Sequence, residues 1–283
     1  MQTSPEPGLE WVVLTMGDRP DALDSAVRSL GGDPAIVVWN GAPPSVVEGG
    51  VRSVAAAENL GVPEGRDLGI QSSLAVVVGF LDDDAVLSEG AGEQIQVAFE
   101  ADDRLGAVAL KLVDEGGRTA RRHAPRLGAG RPDKSGEVAL FLGGACAIRR
   151  AAYTDVGGYF TELFYGHEEL ELSWRLIDRD WRIRYLADVR VFHPRSTIDR
   201  HADGWRMTGR NRVLIARRTL PWPVALFHVT FWLVVGMLRT PTGEHRRAYL
   251  KGWRAGWSIR VEHSPISWGT VWRLTRLRRP PIV

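Results

Sequence analysis

Over the first 110 residues, short apolar runs alternate with stretches of helical period. Trp11 to Thr15 is a continuous apolar run of strand length. Pro20 then opens a stretch whose apolar positions Leu23, Ala26, Val27 and Leu30 recur at i, i+3, i+4 and i+7, and Gly31-Gly32 ends it. That spacing predicts a helix. Ala35 to Trp39 reads as a second strand and Val51 to Val54 as a short third one. Leu74 to Leu81 is the strongest strand signal and runs into Asp82-Asp83-Asp84. Ala91 to Ala101 is helical in pattern, and Gly106 to Leu112 is a strand again. Strands alternating with helices imply crossover connections and a mostly parallel sheet.

The pattern breaks at residues 113–137, where Gly, Arg and Pro predict an irregular excursion. Val138 to Arg149 is strand-like around Gly143-Gly144. Glu168 to Asp180 has helical spacing, and Arg182 to Leu186 and Val189 to Phe192 read as two strands. Beyond residue 200 the chain becomes helical and basic, which sets an expected boundary between a 1–200 unit and a 201–283 unit.

Composition sharpens this picture. The chain has 283 residues and a single cysteine, so no internal disulfide framework is possible. Charged residues at 25% and hydrophobic ones at 44% exclude a disordered or polytopic membrane chain. The net charge of +2 conceals an asymmetry. Residues 201–283 hold fifteen Lys and Arg against three Asp and Glu, together with seven of the eleven tryptophans. Such an end suits an anionic surface. Met1 to Gly8 shows no basic segment followed by an apolar run, so the expected location is the cytoplasmic side.

Four features carry candidate chemistry. The Asp82-Asp83-Asp84 run follows directly on a hydrophobic strand. It reads either as a solvated acidic turn or as a site where crowded carboxylates hold a hard divalent cation. Glu168 and Glu169 fall in the first turn of a predicted helix, where the dipole favours carboxylates and where a general base could sit. His193 ends a strand and could complete a carboxylate metal site. Gly143-Gly144 permits close approach of a ligand, or marks a bulge. Cys146, set between alanines, reads as core.

In order and spacing these motifs resemble the family-2 glycosyltransferases of the GT-A fold, and among them bacterial rhamnosyl- and galactofuranosyltransferase-like members. The resemblance runs from about Trp11 to His193. It rests on Leu14-Thr15-Met16-Gly17-Asp18-Arg19-Pro20, Val38-Trp39-Asn40-Gly41, Glu58-Asn59-Leu60-Gly61, Gly65-Arg66-Asp67-Leu68-Gly69, Leu81-Asp82-Asp83-Asp84, and His167-Glu168-Glu169-Leu170-Glu171-Leu172-Ser173-Trp174-Arg175. It implies an α/β, Rossmann-like sheet with a basic helical C-terminal extension. It implies that Asp82 and Asp84, with His193, bind Mn²⁺ or Mg²⁺, and that Thr15, Asp18, Asn40, Arg66, Asp67 and Asp83 face the donor nucleotide. Gly143, Gly144 and Arg149 fall to sugar and acceptor. Glu169 or Glu168 becomes the base of an inverting transfer from a UDP- or dTDP-sugar to a hydroxyl of a lipid-linked or cell-envelope polysaccharide acceptor. Asp67 and Glu169 depart from the family's usual Asn and Asp. These departures keep a second reading open, a catalytically idle binding module recruited to the membrane.

The C-terminal unit adds Val224 to Leu238, fifteen mainly apolar residues broken by His228 and flanked by Arg217-Arg218 and Arg239. As a helix this spans about 22 Å, short of the roughly 30 Å hydrocarbon core. It predicts either a helix buried against protein or an interfacial segment. The neighbouring Arg246, Arg247, Lys251, Arg254 and Arg260, interleaved with Tyr249, Trp253 and Trp257, favour peripheral contact with the inner face of the cell membrane and not nucleic acid. Oligomeric state is not legible.

Overall fold

A computed structural model describes residues 8–120, 123–124, 132–194 and 203–282. The expected boundary near residue 200 and part of the 113–137 excursion lie outside the described residues. In chain order the elements are β1 (Leu9–Thr15), α1 (Pro20–Arg28), β2 (Ala35–Asn40), β3 (Arg52–Ala56), α2 (Val62–Ser72), β4 (Val77–Asp82), β5 (Val86–Leu87), α3 (Ala91–Glu100), β6 (Leu105–Val113), β7 (Gly136–Glu137), β8 (Ala145–Arg149), α4 (Arg150–Asp155), α5 (Glu168–Asp178), β9 (Arg182–Phe192), α6 (Gly204–Thr219), α7 (Trp222–Arg239), α8 (Gly243–Ser258) and α9 (Trp268–Arg276).

The strands form one mixed sheet in the order β3-β2-β1-β4-β8-β6-β9-β5, with β7 pairing to β9. The α/β reading with a mostly parallel sheet holds. β1 pairs in parallel with both β2 and β4, so the connections leave β1 in opposite directions. That is a topological switch point, where α/β sheets open a cleft beyond the carboxyl ends of their strands. The central strands are apolar on both faces. β1, β2 and β4 are nearly wholly buried, as a sheet covered on both sides requires.

Several expected elements differ in extent. α2 was not legible as a helix. Residues 182–192 form one strand, not two, and its pairing with β6 shifts register between Leu110 and Lys111. Only Ala145–Arg149 of the 138–149 stretch is strand, although Val138, Ala139 and Phe141 are buried in the core. The helices after residue 203 share that core. Val213, Leu214, Ile215, Ala225, Val229 and Leu274 belong to the same apolar cluster as Val12, Phe80 and Trp174.

Candidate active site

Five chain segments deliver polar groups to the carboxyl edge of the sheet. β4 ends at Asp82, the turn after it carries Asp83 and Asp84, and β9 leads into His193. α5 starts with Glu168 and Glu169. β8 runs antiparallel to β4, so its beginning, preceded by Gly143-Gly144, lies at the same edge.

Asp82, Asp84 and His193 each present a ligand atom, and these atoms lie within 4.8 Å of one another. His193 Nε2 is 3.2 Å from Asp84 Oδ1 and 3.5 Å from Asp82 Oδ2. Its Nδ1 lies 2.6 Å from the Pro194 carbonyl oxygen. A carbonyl only accepts, so Nδ1 carries a proton; in the metal-free chain Nε2–H donates to the carboxylates, and loss of that proton would free an Nε2 lone pair for a cation held with Asp82 and Asp84. Two carboxylates and an oriented imidazole are a donor set that fits Mn²⁺, and Mg²⁺ with added waters. In the metal-free chain burial alone would lower His193, but Asp82 and Asp84 overcome it and push the imidazole up to about 10. Burial would likewise raise Asp82; the His193 hydrogen bond and the Arg66 charge hold it below the ordinary carboxylate range.

The two glutamates differ in surroundings. Glu168 is buried, 3.2 Å from Arg66 Nη1. Burial and then the neighbouring Glu169 push it up to about 8. Glu169 is half-exposed and accepts a 3.0 Å hydrogen bond from the Gly143 N–H on one oxygen. The approach to this helix is tightly bent. Phe164 (φ 59°) and His167 (φ 75°) occupy the left-handed region on either side of Gly166. Non-glycine residues held there mark segments whose conformation is imposed by their surroundings.

No protein-family model matches the sequence, and no curated protein does either. Solved structures do. GalNAc-T7 with UDP, GalNAc and Mn²⁺ superposes with a TM-score of 0.63 at 13% identity, over 88% of this chain and 55% of its own. The 1–349 piece of S. aureus TarS gives 0.61 at 12% identity, over 86% of this chain and 78% of its own. The same piece in complex with UDP gives 0.58 at 13% identity, with the same coverage. These neighbours are glycosyltransferases of the GT-A fold. The chain has the GT-A fold. It spans about half the length of the GalNAc-T7 structure.

The GT-A cleft accounts for the two glycines. A Cβ on Gly144 would overlap the Asp82 carboxylate, and one on Gly143 would overlap Arg66 and Glu169. Neither glycine has a positive φ; they leave room for charged groups. Gly144→Ala is therefore expected to displace Asp82. Overpacking of this kind costs about 1–3 kcal/mol, so thermal unfolding should fall by a few degrees while the Mn²⁺-dependent rise in Tm disappears. A variant with undisturbed Mn²⁺ response would show that Asp82 is not held where the cation binds.

Other expected site residues have different tasks. Thr15 donates 2.7 Å to Asp83, and Arg19 contacts Asp83 at 2.7 Å and also Asp84. Asp83 is buried and spent on these two partners, and burial chiefly raises it to about 6. Asp18 is exposed at the rim, 3.7 Å from Arg19. The Asn40 amide donates to Asn59 and the Gly61 carbonyl, each at 3.1 Å, and its oxygen accepts from Leu60 N at 2.8 Å, so it holds the loop before α2.

Three expectations need correction. Arg66, expected at donor phosphates, is buried between Asp82 and Glu168, 3.2 Å from each, because α2 carries it under the cleft floor. Asp67 points to α4, where Tyr153 donates to it at 2.6 Å, and Gln71, one turn further along α2, donates to its other oxygen at 2.6 Å. Arg149 lies at the far end of antiparallel β8, donating to Leu105, Phe99 and Asp102 carbonyls. The strand's reversed direction takes it away from the cleft. Arg19 was missed as a site residue, although a cation just after β1 is what three adjacent aspartates call for.

Proposed function

We propose that the chain is an inverting, metal-dependent glycosyltransferase. It would move a sugar from a UDP- or dTDP-sugar to a hydroxyl of a lipid-linked or cell-envelope polysaccharide acceptor, on the cytoplasmic side at the inner membrane face. The observation that carries this reading is the Asp82, Asp84 and His193 group at the edge of a GT-A sheet, with the half-exposed Glu169 carboxylate at the same edge. The UDP and Mn²⁺ held by neighbouring structures favour a UDP-sugar.

Asp82, Asp84 and His193 would hold the cation, which when bound offsets charge building on the departing diphosphate. Arg19 fixes Asp83 and Asp84, and Arg66 fixes Asp82, so the acidic cluster keeps its geometry. The Gly143 N–H orients one oxygen of Glu169 and leaves the other to take the acceptor's hydroxyl proton. The attacking oxygen would then meet an oxocarbenium-like centre from the face opposite the diphosphate, and one displacement inverts it. UDP release from UDP-sugars with Mn²⁺, abolished by EDTA, is the expected result. Absence of both release and any Mn²⁺-dependent nucleotide binding would remove the reading.

Membrane contact is supported by α7. It is, among the described residues, the one helix long and apolar enough to cross a bilayer, with 22% of it buried. Its inner side packs Ala225, His228, Val229 and Gly236 on the protein. Trp222, Leu226, Thr230, Val234 and Leu238 form an exposed stripe at intervals of four. A helix with one side committed to protein and the other apolar fits an interfacial position. Leu226→Asp with Val234→Asp is expected to weaken binding to phosphatidylglycerol-containing vesicles at least about tenfold, from lost apolar burial, without lowering Tm. Unchanged flotation with vesicles would sink the membrane contact.

A further inference from the structure

Basic side chains from four parts of the chain gather next to the start of α5, and none of them pairs with a carboxylate among the described residues. His167 immediately precedes Glu168, Arg212 sits on α6, His228 and Arg239 on α7, and Arg279 follows α9. Arg212 is the hub. Its guanidinium lies 3.5 Å from the Trp232 ring, and its charge reaches Arg239, Arg279, His167 and His228. His228 lies 6.3 Å from Trp232, ring to ring, on the inner side of α7.

Polar atoms of this group are buried without hydrogen-bond partners. They are Arg212 Nε and Nη1, Arg279 Nε, Trp232 Nε1, His167 Nδ1 and His228 Nε2. His228 donates through Nδ1 to the Pro281 carbonyl at 2.6 Å, so its Nε2 is an acceptor, but the four guanidinium and indole N–H groups are donors left unpaired on burial, which is costly and points to a missing acceptor. The charge narrows its nature. Water would satisfy single atoms but would not compensate an arginine that burial lowers to about 9, with Arg279 and Arg239 adding to the effect. The missing partner is an anion. Two guanidinium groups and an indole N–H, from α6, α7 and the segment after α9, match the several oxygens of a tetrahedral oxyanion better than the two of a carboxylate.

We propose that Arg212, Arg279 and Trp232, beside His167, form a binding site for a phosphate or diphosphate group. The site adjoins the proposed base through His167 and shares α7 with the exposed apolar stripe. That position suits the headgroup of an amphiphile whose chain lies along α7. Only the choice of molecule carrying the phosphate rests on the glycosyltransferase reading.

The test uses the metal-free full chain, so that the Asp82 cluster contributes nothing. Thermal unfolding and calorimetry are followed with inorganic phosphate and pyrophosphate, against chloride of equal ionic strength. Vesicles of phosphatidylcholine with phosphatidic acid, which bears a phosphate monoester, are compared with phosphatidylcholine and phosphatidylserine. Wild type should be stabilised by pyrophosphate, and Arg212→Met should bind it at least about tenfold more weakly. The same substitution should raise Tm without ligand, because it removes a buried unpaired charge. Arg279→Met, nearer the surface, should also weaken binding and serves if Arg212→Met does not fold. A preference for phosphatidic acid that both variants lose assigns the phosphate to a lipid. Phosphate binding without that preference assigns it to a soluble phosphate. No stabilisation of wild type, or equal pyrophosphate response in the variants, overturns the site. Sugar transfer is not read in any arm, so failure of the enzymatic reading leaves this result standing.

Discussion

Asp84→Ala should reduce sugar transfer by about 10³-fold, the scale of losing electrostatic stabilisation of a developing charge, while the fold survives. The variant removes one of three atoms that sit within 4.8 Å of each other and leaves Asp82 and His193 too few to hold a cation tightly. The fold should persist because Arg19 keeps its 2.7 Å contact with Asp83 when Asp84 is gone. Asp83→Asn is the informative comparison. Asp83 is bound by Thr15 and Arg19 and lies outside the ligand group. Its loss should lower Tm and spare Mn²⁺ affinity. Mn²⁺ titration followed by Tm, alongside transfer assays, separates the two aspartates. Turnover of Asp84→Ala equal to wild type would place the cation elsewhere or remove it from the reaction.

What the sequence made legible follows from what is local. β1, α1, β2, β4, α3 and α5 carry their own periodicity and stop signals, and each forms within a few residues of its expected span. α2 was hidden because it contains Gly65 and Gly69, which cost helix stability. Packing explains them: a Cβ at Gly65 would strike Leu14 and one at Gly69 would strike Val12, so the glycines let α2 lie close on β1. Tertiary contact overrides local propensity there. In the same way Ala187-Asp188 looked like a break, yet β9 absorbs it as extra residues opposite the Leu110–Lys111 register shift.

The site was legible where it rested on a motif and not where it rested on direction or depth. Asp82 and Asp84 meet His193, far along the sequence, as the resemblance implied. Arg149 was misplaced because strand polarity is not written in a run of apolar residues, and β8 is antiparallel to β4. Arg66 was misassigned because an arginine in a nucleotide-loop motif looks solvent-facing, whereas this one is buried between the Asp82 and Glu168 side chains. The basic C-terminal unit was legible as a composition, but its packing into the sheet's core cluster was not. Removing residues 201–283 would therefore expose that core, and point substitutions on the α7 stripe test membrane contact more cleanly than truncation.

Glu169→Gln should lower transfer by about 10²–10⁴-fold, the usual contribution of a general base, and leave UDP and Mn²⁺ binding intact. Gln keeps an oxygen for the Gly143 N–H, so the loop stays in place and only proton acceptance is lost. Glu168→Gln should behave otherwise. Burial, followed by Glu169, raises Glu168 to about 8 from its ordinary 4.5, which favours its neutral form near pH 7, and the amide mimics that form. Turnover at pH 7 should then stay within about a few-fold of wild type. Stability supplies an independent check with a fixed sign. The folded chain binds a proton at Glu168 that the unfolded chain has released, so this group's contribution is fully present below about 4.5 and is lost as pH rises to about 8. Glu168→Gln should remove that decline, giving a flatter Tm profile between those limits than wild type. A dead Glu168→Gln beside an active Glu169→Gln would move the base one residue toward the N-terminus, into the buried position against Arg66.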